Sequence, residues 1–130
     1  MPLLALVLAI NSIGAGMSMD LTGSEWRPSY IHSHAVPAEE RIYVAFKPDG
    51  QVVGSGGCNR FFGGYTVDGN AIRIGPIAST KKGCPGKYKL ETSFLAALQT
   101  AKTFDWDGSK LVLFGESGQA LAQLIQADGT

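Results

Sequence analysis

Ile42-Tyr43-Val44-Ala45-Phe46-Lys47-Pro48-Asp49-Gly50-Gln51-Val52-Val53 decides the fold. Ile42, Val44 and Phe46 alternate with Tyr43 and Ala45, the period of two expected of a half-buried strand. Pro48-Asp49-Gly50 then breaks the run before a second apolar segment begins. Asp-Gly suits the positive φ of a tight hairpin turn, so the two segments are read as antiparallel neighbours. The same signature recurs at Asp68-Gly69-Asn70, Asp107-Gly108-Ser109 and Glu116-Ser117-Gly118. Strands are accordingly expected near residues 26–32, 41–47, 51–56, 61–67, 71–75, 77–81, 110–114 and 119–125.

One segment departs from this pattern. Leu90, Phe94, Leu95, Leu98 and Ala101 recur at helical spacing between Tyr88 and Thr103. Pro85-Gly86 precedes this stretch, Glu91 falls in its early turns where the helix dipole favours an anion, and Lys102 falls in its last. The spacing predicts one amphipathic helix over residues 87–102 whose apolar face needs a sheet to cover. The fold class is therefore α+β: a curved, open-barrel-like antiparallel sheet of about eight strands wrapped around one helix.

Composition bounds what such a domain can do. The 130 residues are 45% hydrophobic and 17% charged, which suits one globular domain. Eleven basic residues balance eleven acidic ones, so there is no overall basic field for a nucleic-acid backbone. Residues 1–16 read as a signal peptide and 17–130 as the mature domain. Met1–Met19 is uncharged, its apolar run Leu3–Ile10 has h-region length, and Gly14 and Gly16 place small residues two apart. That run is too short to span a bilayer, so no integral membrane span is expected in the mature chain. Export in turn favours a disulfide between the only two cysteines, Cys58 and Cys84. In the chain-entropy model such a bond is worth ~3–4 kcal/mol; reduced, buried thiols are the alternative.

The least ordinary stretch is Gly54-Ser55-Gly56-Gly57-Cys58-Asn59-Arg60-Phe61-Phe62-Gly63-Gly64-Tyr65. Glycines this dense within strand sequence point to bulges, bends or close backbone approach. They match no dinucleotide, P-loop or nucleophile-elbow pattern. Gly57-Cys58-Asn59-Arg60-Phe61 with Gly64-Tyr65, then Ile77–Pro85, then Glu91, Phe94, Leu95 and Leu98, closely resemble the META domain, or HslJ-like, family. Leu21, Trp26, Val44-Ala45-Phe46 and Leu111-Val112-Leu113 extend the resemblance over about residues 20–126. Lys82-Gly83 departs from it, standing where an apolar residue, often Met, usually precedes the cysteine. The resemblance implies a compact α+β domain of the bacterial envelope, periplasmic, outer-membrane-associated or secreted, with heat-shock and stress-response associations. It brings no catalytic residues and no cofactor.

Asn59 is read as shaping the bend after Cys58, because Asn tolerates left-handed backbone. Arg60 either pairs with a carboxylate such as Glu91 or stays at the surface for an anionic ligand. Trp26, Tyr30, Phe46, Phe61, Phe62, Tyr65, Phe94 and Trp106 read as core, except that Phe61 and Phe62, being adjacent on a strand, face opposite sides. One of that pair is then a contact for a partner. His32 and His34 would share a strand face and could chelate a metal, but two ligands do not make a site. Cys58 chemistry would need a base that only those histidines supply, and a disulfide removes the thiolate. The leading functional reading is a non-enzymatic envelope module that binds a protein partner. A small-ligand or inhibitor domain is the alternative, and an enzyme using Cys58 is disfavoured.

Overall fold

A computed structural model describes residues 20–127; the expected signal peptide and its cleavage near Gly16 lie outside the described residues. Nine strands and one helix follow in the order β1 (Glu25–Ile31), β2 (His34–Ala35), β3 (Ile42–Phe46), β4 (Gln51–Gly56), β5 (Arg60–Asp68), β6 (Ala71–Ser79), α1 (Tyr88–Thr100), β7 (Thr103–Trp106), β8 (Lys110–Phe114) and β9 (Ala120–Gln126). All pairings are antiparallel. The order is β2-β1-β3-β4-β5-β6-β7-β8-β9, and β1 also pairs with β9, so the sheet closes on itself. The curved α+β architecture read from the hairpin periodicity is the one observed.

Each Asp-Gly or Ser-Gly signature lies in a turn between consecutive strands, with Gly50, Gly69, Gly108 and Gly118 all at positive φ. Two strands went unread in the sequence, β2 and β7, and the expected strands 71–75 and 77–81 are one strand, β6, kinked at a cis Gly75–Pro76 bond. The sheet is tightest in the middle and loosest at β6–β7, which share the single register pair Ala71–Thr103.

The helix packs mainly against β6 and next against β4, touching β1 and β9 as well. It buries Phe94, Ala97, Leu98 and, unexpectedly, Glu91, while Leu90 and Leu95 are only partly buried. The stripe is thus rotated from the expected one, with Glu91 and Ala97 taking the buried places expected of Leu90 and Leu95. Inside the curve, Phe94 meets Phe61 edge to face at 6.1 Å, Trp26 meets Trp106 at 5.3 Å, and Phe46 meets Tyr65 at 5.0 Å. Such pairs add to the area they bury. Lys102, expected in the last helical turn, lies beyond the helix, and its N–H donates to the Phe114 carbonyl.

Candidate functional site

The Gly-rich stretch forms the end of β4, a short connection and the start of β5. Gly57, with φ of +108°, takes the left-handed conformation here. Asn59 does not: among the described non-glycine residues only His32 has positive φ. The bend after β4 therefore belongs to glycine, and Asn59 is free for another task.

That task is to join three segments distant in sequence. Its backbone N–H donates to Glu91 Oε2 at 2.6 Å and its side-chain Nδ2 to Glu91 Oε1 at 2.9 Å. Nδ2 also donates to the Lys82 carbonyl at 3.2 Å. Its Oδ1 accepts from Lys82 N–H at 2.7 Å and from the Thr80 hydroxyl at 2.8 Å. Every donor and acceptor of this side-chain amide is thereby occupied, as burial demands. Asn59 is 8% exposed and Glu91 7%. The carboxylate also sits in the first turn of α1, where the helix dipole favours negative charge.

Space for this cluster comes from glycine. A Cβ on Gly56 would lie 2.7 Å from Glu91 Oε2, and one on Gly54 2.6 Å from Phe61 Cζ. Both glycines are explained by close approach to a neighbour. The disulfide fastens the same two loops: Cys58 and Cys84 are bonded, with Cα atoms 6.0 Å apart. Lys87 follows, pairing with Glu40 at 3.0 Å across to the loop before β3.

The other sequence candidates do not converge here. Arg60 is exposed and does not pair with Glu91, whose oxygens are held by Asn59. Its backbone instead bonds Thr80, through N–H to Oγ1 and carbonyl to N–H. His32 lies in the turn after β1, whereas His34 begins β2 opposite Ile31, so the expected shared strand face does not arise. Among the described residues no three His, Cys, Asp or Glu side chains gather as a metal site. Phe61 is buried and Phe62 is 57% exposed. Tyr30, read as core, is also exposed.

A model of the META domain matches residues 19–128, nearly the whole chain. The chain belongs to the META domain family. This META domain is similar in fold to an NMR structure of a protein from Burkholderia xenovorans, at 20% identity over 84% of this chain and 85% of that one, with a TM-score of 0.67. It is also similar to the crystal structure of a DUF4847 family protein from Bacteroides vulgatus, at 18% identity over 85% and 96% of the two chains, with a TM-score of 0.61. At these identities the likeness is one of fold. No curated protein matches the chain in sequence. Among the described residues no helix is long and apolar enough to cross a membrane.

The Asn59–Glu91 cluster was not visible as such in the sequence. Asn59 and Glu91 are 32 positions apart. The signal that could have found it is spacing: Glu91 stands three and seven positions before Phe94 and Leu98, on the face that the helix buries, where a carboxylate requires a partner.

Proposed function

We propose that this META domain is a non-catalytic binding module of the bacterial envelope that docks a protein partner through the outer face of its sheet around Phe62. The observation that carries the reading is the protrusion of Phe62, 57% exposed, from a strand whose adjacent Phe61 is core. Register aligns Ala45, Val53, Phe62 and Ala78 in one row across β3, β4, β5 and β6, with Arg60 two residues from Phe62 on the same face. An aromatic on an apolar row and an arginine in the neighbouring row are the residue types that dominate contact energetics. The Asn59–Glu91 hydrogen bonds and the disulfide also support a non-catalytic reading, because they occupy the groups an enzyme here would draw on. The disulfide fits an extracytoplasmic location, and the family resemblance supplies the envelope and stress-response association.

The test is affinity capture from envelope extract after heat stress, with wild-type and Phe62→Ala proteins of equal unfolding midpoint. The captured protein is then purified and titrated against both by calorimetry. Weaker binding by Phe62→Ala is expected, and equal affinity would overturn the assignment of this face. A folded Cys58→Ser variant that lost a turnover present in the wild type would restore the enzymatic reading.

A further inference from the structure

Among the described residues, the β6 edge beyond Ala71 has no strand partner. Ile72 N–H donates to the Lys102 carbonyl and Phe104 N–H to the Asn70 carbonyl, and there the join to β7 ends. Alternation along a strand points the Ile74 backbone groups to the same side as Ile72. Beyond the Gly75–Pro76 kink, Ile77 N–H also points away from β5, and alternation places the Ser79 backbone groups beside it. What meets Ile77 is a side chain: Gln99 Oε1 of α1 accepts its hydrogen bond at 3.0 Å. The Gln99 amide stands where the peptide group of a neighbouring strand would be.

Grooves run along this edge on either side of Gln99, which lines both. One of about 430 Å³ borders Ile72–Pro76, and one of about 460 Å³ borders Ser79–Lys82 and the helix flank at Leu95 and Ala96. Arg73 and Lys102 rim the first, Lys81 and Lys82 the second. The one acid in either lining is Glu91, 7% exposed and already bonded to Asn59. The sequence repeats this bias: residues 69–90 contain five Lys or Arg and no Asp or Glu, although the whole chain is neutral. Tyr88, 78% exposed, stands beside the second groove.

We infer that an extended, acidic peptide segment of a partner protein adds as a strand to the β6 edge at Ile77–Ser79, displacing the Gln99 side chain and setting its carboxylates against Lys81 and Lys82. Exposed edges are commonly covered to prevent such pairing. Here the cover at Ile77 is one glutamine side chain, which can swing aside. Main-chain hydrogen bonds would give affinity, and the lysines would select charge. This site borders the Phe62 face at Ala78, which pairs with Phe62, but it is built from the Ile77 and Ser79 backbone edge and the two lysines, so the backbone-methylated control tells its failure from that of the Phe62 assignment.

The test uses the full chain and fluorescent ten-residue probe peptides of alternating valine and glutamate. Controls replace glutamate by lysine, or methylate alternate backbone nitrogens so that charge remains and strand pairing is lost. Anisotropy is expected to show the acidic peptide binding at least about tenfold more tightly than either control. Lys81→Glu with Lys82→Glu should abolish that preference, and Gln99→Ala should tighten binding by freeing Ile77. Amide NMR shifts should centre on Ile77 and Ser79. Absence of binding at millimolar peptide, equal binding of the methylated control, or shifts centred elsewhere would each overturn the proposal.

Discussion

Asn59 holds both carboxylate oxygens of Glu91, one through its backbone N–H and one through its side chain, at 2.6 and 2.9 Å. A buried carboxylate is thereby satisfied by a neutral amide. Asn59→Ala keeps the backbone N–H on Oε2 but removes the side-chain donor to Oε1, leaving a buried carboxylate oxygen unsatisfied. Asn59→Ala is expected to destabilise by about 1–3 kcal/mol in denaturant titration. A cycle with Glu91→Ala should show coupling on the order of 1–3 kcal/mol, and simple additivity would show that the two residues act independently.

Gly56 tests the same contact by crowding. Its Cβ would lie 2.7 Å from Glu91 Oε2, so Gly56→Ala must push the carboxylate off Asn59. The expected loss is ~1–3 kcal/mol. Gly108→Ala, with open space around its Cβ but φ of +103°, should be destabilised by backbone strain alone. In the Asn59→Ala background the Gly56→Ala cost should shrink while the Gly108→Ala cost should not, by equilibrium unfolding.

The disulfide and the Asn59 network fasten the same pair of loops. Replacing both Cys58 and Cys84 with serine should lower stability by ~2–5 kcal/mol. The Asn59 bonds to Lys82 and Glu91 should keep the reduced loops near one another. Amide chemical shifts of Thr80–Lys82 should therefore stay close to wild type, and their wholesale loss would show that the covalent bond alone sets this geometry.

Phe94 lies fully buried against Phe61, whereas Lys89 is exposed. Phe94→Ala should cost ~3–5 kcal/mol through the cavity it leaves, and Lys89→Ala should change little. Matched urea curves for the two would place a different face of α1 against the sheet.

Asp107 accepts the backbone N–H groups of Lys110 and Ser109, which hold its carboxyl below the ordinary Asp value. A depressed folded-state value means the contribution is present above the unfolded pKa and fades as pH falls through the folded one. Asp107→Ala should thus narrow its stability deficit as the solution is acidified below about pH 4. A deficit that stayed constant from neutral to acid pH would show that the carboxylate charge contributes nothing.

The hairpins were legible because each is encoded locally, alternation and turn residues lying within about a dozen positions of one another. β7 was not, since Thr103-Phe104-Asp105-Trp106 is a four-residue strand directly behind a helix and short enough to pass for its frayed end. β6 was read as two strands because Pro76 interrupts its pattern, a reasonable inference for a residue without an N–H. The role of Asn59 was illegible for a different reason. Its partners lie 21 to 32 positions away, and no local pattern distinguishes an asparagine that shapes its own turn from one that bridges three segments.

The closure of β1 onto β9 bears on how the chain is made. Trp26 is paired with Gln126 and Ile31 with Ala122, so the first long strand waits nearly a hundred residues for its neighbour. Pairing at that separation is a slow step dominated by loop-closure entropy. Until β9 emerges, Trp26 has no strand on that side and much of the interior stays uncovered. A nascent chain therefore remains open, and a product truncated before Leu121 would lack the strand that shuts the ring. Maturation of this domain is consequently a late, all-at-once event, which leaves unfinished chains open to proteolysis and finished ones closed.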